Sequence, residues 1–227
     1  MRIAVLGTGL VGQALAKKLA DCDHKVTIAT RSVADTRTRV TQGEEYAARL
    51  NAFLIANPAV KLVELADAAQ SAEMIVNALP GHAALAGLNA AGGQNLAGKI
   101  LIDVSNPLDF SDGYPPSLFV SNTSSLGEEI QGAFSDAKVV KTLNTVSADL
   151  MVNPDRLADG DHTMFVSGND PEAKHLVTDL LKHNFGWHDV IDLGDITNAR
   201  GTEAALALWV RLWGKLGTTK LAFKIVR

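Results

Sequence analysis

The run Arg2-Ile3-Ala4-Val5-Leu6-Gly7-Thr8-Gly9-Leu10-Val11-Gly12 constrains this chain more than any other stretch. Its apolar residues, bounded by Gly7, fit a strand buried on both faces, and Gln13 to Leu19 that follow are strong helix formers. A Gly-x-Gly-x-x-Gly spacing between strand and helix assigns each glycine a separate task. Gly7 lets the chain turn sharply, Gly9 leaves room for a pyrophosphate, and Gly12 lets the helix pack close to the strand. The helix N-terminus then aims free N–H groups and the positive end of its dipole at the phosphates. Strand before and helix after select a dinucleotide site over a purely structural turn.

The second strand is expected over residues 25–31, a β-branched run. Sites that prefer NAD place an acid at its end, where it bonds the ribose hydroxyls and repels a 2′-phosphate. Here the chain reads Thr30-Arg31-Ser32, with Arg37 and Arg39 close by. A guanidinium between two hydroxyls is an anion site, so NADP is expected over NAD.

Further strands are expected at 60–65, 74–79, 99–104 and 137–145, with helical stretches between them, including 43–57 and 124–134. Strand and helix alternating in this way predict an α/β, Rossmann-type doubly wound parallel sheet. Residues 1–145 are expected to form the NADP-binding domain. Residues 146–227 should form a small α/β cap continuous with it, with strands at 162–168 and 190–193, a helix at 171–184 and a buried last helix over 197–216. Ligands in such sheets bind past the carboxyl ends of the strands, which singles out Pro80-Gly81-His82 and Ser105-Asn106-Pro107-Leu108.

Composition narrows the function. A net charge of −4 on 227 residues argues against nucleic-acid or anionic-membrane partners, which require a basic surface. A single cysteine, Cys22, excludes an internal disulfide and a multi-thiolate zinc site. The six histidines show no ligand spacing, so no metal is expected. The glycine loop begins too near Met1 for a signal peptide, and no apolar run is long enough for a membrane helix, so a cytoplasmic protein is expected. The last helix carries Leu206, Trp209, Val210, Trp213 and Leu216 on one face, with Leu208 and Leu212 off it. One surface cannot cover all of them, which predicts a twofold homodimer through this helix rather than a monomer that buries it wholly.

The glycine loop, Thr30-Arg31-Ser32 and the Asn198-Ala199-Arg200-Gly201 entry into the last helix occur in one order over the whole length. In this the chain resembles the NADPH-dependent oxidoreductases of the 8-hydroxy-5-deazaflavin coenzyme (F420), and their bacterial branch in particular. The resemblance implies hydride transfer between NADPH and the deazaflavin, a small-molecule redox substrate. It also implies an NADP site lined by Gly7, Thr8, Gly9, Leu10, Val11, Gly12, Thr30, Arg31, Ser32, Arg37, Leu79, Pro80, His82, Asn106 and Pro107. The deazaflavin would lie near Thr142, Asn144, Thr145 and the last helix. Archaeal members differ in having one more residue in the glycine loop and a histidine in the segment matching 140–145. Hydride transfer between two planar rings asks mainly for position, so no catalytic side chain is assigned. Two rivals remain: a reductase of a small imine or ketone, with Lys141 protonating the product, and an NADP-binding redox sensor without turnover.

Overall fold

The protein is described from a computed structural model covering residues 1–38 and 46–227. Arg39 and the start of the helix expected over 43–57 lie outside the described residues. The strands are β1 (Arg2–Leu6), β2 (Lys25–Thr30), β3 (Lys61–Glu64), β4 (Met74–Asn77), β5 (Ile100–Asp103), β6 (Leu108–Asp109), β7 (Ser117–Leu118), β8 (Lys138–Thr142), β9 (Thr163–Gly168) and β10 (Asp189–Asp192). The helices are α1 (Leu10–Asp21), α2 (Val33–Thr38), α3 (Tyr46–Ala56), α4 (Leu65–Ser71), α5 (Gly81–Ala91), α6 (Gly93–Leu96), α7 (Leu126–Ala133), α8 (Ala148–Val152), α9 (Pro171–Asp179), α10 (Ala199–Ala204) and α11 (Leu206–Leu216).

Eight strands form one sheet in the order β10-β9-β8-β5-β4-β1-β2-β3, and β6 with β7 makes a small antiparallel ribbon. From β3 to β8 all neighbours are parallel. Such strands are covered on both faces, which explains their continuous apolar runs. Ile3, Val5, Val26, Ile28, Met74, Val76, Ile102 and Val140 point to one side, where Leu15, Ala16 and Leu19 of α1 pack on them. Ala4, Leu6, Ala29, Ile75, Leu101 and Val139 point to the other, under Ala68, Ala84, Leu88, Leu126 and Ile130. Each fully buried Leu or Ile contributes about 1.5–3 kcal/mol relative to an exposed one.

Two expectations are corrected. The sheet is not parallel throughout: β9 runs antiparallel to β8, pairing Lys141 with Ser167, and β10 runs parallel to β9. Antiparallel neighbours need no full crossover, and the segment between β8 and β9 holds only α8 and two 3-10 turns. The helix expected over 197–216 is in fact three pieces, a 3-10 turn at Ile196–Asn198 followed by α10 and α11. They meet at Ala205, whose ψ of −22° is closer to a 3-10 than an α geometry.

Element ends also moved. Strand β8 stops at Thr142 because the next residue, Leu143, has a φ of +60° that no strand accommodates. Helix α9 ends at Asp179 and passes into a π-turn closed by Gly186, whose φ is +91°. The short α2 was not anticipated; Ser32 starts it, its Oγ accepting from the amide of Asp35 at 3.2 Å.

Helix α11 is covered on one side only. Leu206, Trp209 and Val210 pack with Leu108, Leu118, Leu221 and Phe223. Leu208 is 53% exposed, Trp213 39% and Leu216 60%, so the chain by itself does not bury this helix wholly. Tyr114 anchors it from the ribbon side, donating to Val210 O and meeting Trp213 edge-on at 5.8 Å.

Candidate functional site

The chain leaves β1 toward β2 on one side and later returns to β4 on the other, so a crevice opens above the carboxyl ends of β1 and β4. The glycine loop sits there. Gly7 donates to Ala29 O at 2.9 Å and has a φ of +116°, and a Cβ on it would stand 2.5 Å from Ala78 O. A Cβ on Gly12 would stand 1.9 Å from Gly7 O. Both glycines are therefore required by the fold itself. Gly9 differs: its φ is −74°, open to any residue, and a Cβ there meets nothing within 4 Å. Its missing side chain matters only for something that approaches from outside. Gly9 is also the N-cap of α1, with no side chain capping the first-turn amides. Gln13 Nε2 donates to Thr8 O at 2.9 Å, and Thr8 Oγ1 pairs with the Tyr46 hydroxyl, which together hold the loop in shape. Leu10 is exposed and Val11 half-buried at the helix start. An uncapped helix end behind an open glycine fits a pyrophosphate.

At the end of β2, Thr30 is buried and its hydroxyl pairs with that of Thr36 at 2.7 Å. Ser32 caps α2. Arg31 and Arg37 are exposed. Of the expected trio, then, Arg31 is the group that faces outward, while Thr30 and Ser32 shape the turn beneath it.

The loops after β4 and β5 are in contact. Pro80 is the N-cap of α5, and a Cβ on Gly81 would lie 2.0 Å from Asn106 O, so only glycine lets the two loops meet. Leu79 packs onto α5 at Gly87, where a Cβ would stand 2.3 Å from its Cδ1. Pro107 is buried and Asn106 half-buried. Asn106 and Asn144 bond reciprocally: Asn106 Nδ2 donates to Asn144 O at 2.8 Å, and Asn144 Nδ2 to Asn106 Oδ1 at 3.0 Å and Thr202 O at 3.2 Å. His82 is exposed and, with Leu108, Asp109, Phe110, Ser111 and Phe119, lines an open cavity of about 540 Å³.

Behind these loops lies a charged cluster that the sequence reading missed. The Lys141 side chain is 0% exposed. Its Nζ donates to Asp103 Oδ2 at 2.8 Å and Ser105 O at 2.6 Å, and it pairs with Glu203 Oε1 at 2.8 Å. Asp103 Oδ1 accepts from Asn77 Nδ2, Ser105 N and Ser105 Oγ. Glu203 accepts from the amides of Leu126 and Gly127 in the first turn of α7, where the helix dipole favours an anion. Burial pushes the lysine down, yet Asp103 and Glu203 more than offset it and hold the ammonium above its ordinary range. Lys141, expected to protonate the product in the imine- or ketone-reductase reading, has all three of its hydrogens held by protein oxygens. It is charged, enclosed and fully partnered. The clue was present in outline: Asp103 closes β5, Lys141 stands one residue before the end of β8, and the two strands are neighbours in which these residues face each other in register.

Thr142 and Thr145 are buried as well, Thr142 Oγ1 donating to Phe165 O at 2.7 Å. Among the described residues no group of three His, Cys, Asp or Glu is arranged to hold a metal, and no helix is long and apolar enough to cross a membrane.

Comparison with known proteins places the chain among reductases of this geometry. Residues 2–107 match the family described as NADP oxidoreductase, coenzyme F420-dependent. A crystal structure from Arthrobacter sp. FB24, assigned provisionally as an F420-dependent NADP reductase, is 55% identical, covers 100% of both chains and has a TM-score of 0.94. The F420-dependent NADP reductase of Methanocaldococcus jannaschii is 29% identical over 93% of this chain and 92% of its own length. An imine reductase from Myxococcus stipitatus in complex with NADP+ has a TM-score of 0.58 at 16% identity, covering 96% of this chain and 63% of its own, a likeness of fold alone.

Proposed function

This chain belongs to the coenzyme F420-dependent NADP oxidoreductase family, and from that premise we propose that it moves hydride between NADPH and an 8-hydroxy-5-deazaflavin. The carrying observation is Gly9, a glycine that the fold does not need, placed before the uncapped start of α1 at the sheet's switch point. When bound, NADPH supplies a hydride from the nicotinamide, and the deazaflavin takes up that hydride with one proton from solvent, leaving NADP+ and the reduced deazaflavin.

The protein's part is to bind, orient and exclude water. The first-turn amides of α1 hold the pyrophosphate, and exposed Arg31 and Arg37 receive the 2′-phosphate. Leu79, Pro80, Asn106 and Pro107 flank the nicotinamide end. The cavity beside His82, walled by Phe110 and Phe119, gives a planar acceptor room. Thr142, Asn144 and Thr145 are buried, and Asn144 bears on the site through its bonds with Asn106. The rival imine or ketone reductase is less supported, because Lys141 is enclosed and its three hydrogens are bonded to protein oxygens.

Residues 1–145 form the NADP-binding domain, and 146–227 a small cap continuous with it that carries β9, β10 and α11. A homodimer would cover Leu208, Trp213 and Leu216, which the single chain leaves exposed. A cytoplasmic setting accords with a lone Cys22. The test is anaerobic mixing of the protein with NADPH and the deazaflavin: its visible absorbance should bleach. A protein that binds NADPH but never bleaches the deazaflavin would overturn the proposal in favour of a sensor.

A further inference from the structure

Three elements far apart in the chain meet at Lys141. Through Ser105 O it holds the turn that carries Asn106 and Pro107, and through Asp103 it holds the end of β5. Through Glu203 it holds α10, and Glu203 in turn holds the start of α7. All three ammonium hydrogens are taken, so the lysine has one arrangement open to it. Next to it, Leu143 adopts a left-handed φ of +60° while 2% exposed. That conformation is uncommon for a bulky residue and persists only where the surroundings impose it. Its effect is to end β8 and bring Asn144 against Asn106 and Thr202 O, a second tie between the same turn and the same helix.

We infer that Lys141, with Asp103 and Glu203, is a positioning residue: it locks the Asn106–Pro107 turn to α10, and so fixes the nicotinamide end of the site against the acceptor side. This rests on the hydride-transfer reading above. The glycine loop and Arg31 belong to other elements, so the lock has little bearing on how tightly the dinucleotide binds. Its bearing is on how well the two rings are aligned, since small misplacements are costly to a reaction that depends on near-attack geometry.

A purely structural role makes a different forecast, and charge bookkeeping separates the two. In the parent the cluster carries one positive and two negative charges. Lys141→Met leaves two carboxylates facing each other and is expected to destabilise the fold. The double variant Lys141→Met/Asp103→Asn returns the cluster to the parent's net charge and keeps Glu203 on its two amides of α7, without restoring the tie to Ser105 O. If the cluster serves stability alone, this variant should regain both the urea midpoint and the hydride-transfer rate. If Lys141 positions the turn, the midpoint recovers while the single-turnover rate stays roughly ten- to a hundredfold low, with NADPH affinity near that of the parent.

Asn144→Ala provides an uncharged second test. It cuts the other tie, and the same signature is expected, a slower hydride step at retained NADPH affinity. The parent is measured first. If it fails to bleach the deazaflavin, the functional reading falls. If it bleaches and the double variant matches its rate, this inference falls. Should the double variant not fold, Asn144→Ala decides, and a parent-like rate in that variant overturns the inference.

Discussion

Replacing Gly9 by Val should abolish dinucleotide binding and leave the fold standing. A Cβ at this position meets nothing within 4 Å, and a φ of −74° suits any residue. The gain from a less flexible unfolded chain and the loss of a tolerated N-cap glycine oppose each other, so stability should change by less than about 1 kcal/mol. Binding is another matter. A phosphate bonded to first-turn amides of α1 gains about 1.5–3 kcal/mol from each charged hydrogen bond. An isopropyl group in its path removes two of them, roughly 3–6 kcal/mol, or two to four decades in Kd. Gly12→Ala gives the opposite pattern, because its Cβ would stand 1.9 Å from Gly7 O and the backbone must move. That overpacking costs about 1–3 kcal/mol or more of stability. Calorimetric titration with NADPH and urea unfolding of both variants check the pair. A Gly9→Val protein that binds NADPH as tightly as the parent would refute the argument, and so would one that unfolds.

Arg31→Ala, at an exposed position, should weaken NADPH by about 1.5 kcal/mol, roughly tenfold, and leave NADH unchanged; fluorescence titration with both cofactors checks it, and equal losses refute it. The Glu128 carboxyl is held below its ordinary value of 4.5, first by the hydrogen bond from Arg200 and also by Ser125. Its folded value lies under its unfolded one, so the associated stability is present above 4.5 and is lost as pH falls through the folded value. Arg200→Gln should therefore lower stability at neutral pH and flatten the loss on acidification; urea midpoints across a pH series check this, and curves parallel to the parent's refute it. Leu208→Glu combined with Leu216→Glu should convert a particle of twice 24.0 kDa into one of 24.0 kDa by light scattering, and a parent already at the single-chain mass removes the dimer.

The local pattern of the chain determined a good deal. Strand, glycine loop and helix from Arg2 to Asp21 follow from apolar runs, helix propensity and glycine spacing, which are properties of neighbours in sequence. The same holds for the parallel strands β1 to β5 and β8, and for the end of β2, where the lack of an acid beside Arg31 needs no coordinates to be noticed. Only the tertiary structure decided the rest, because it depends on partners that the chain brings together from a distance. Gly9 and Gly12 look alike as letters, and what distinguishes them is whether backbone or open space lies in front. The direction of β9 depends on how the segment after β8 folds, as α8 and two 3-10 turns, which no local pattern specifies. Leu143 carries no mark of a left-handed residue, since its conformation is imposed by what surrounds it. Nothing beside Lys141 in the sequence marks it as buried, and it becomes an enclosed cation because Asp103 and Glu203, from β5 and α10, arrive from a distance and make its burial affordable.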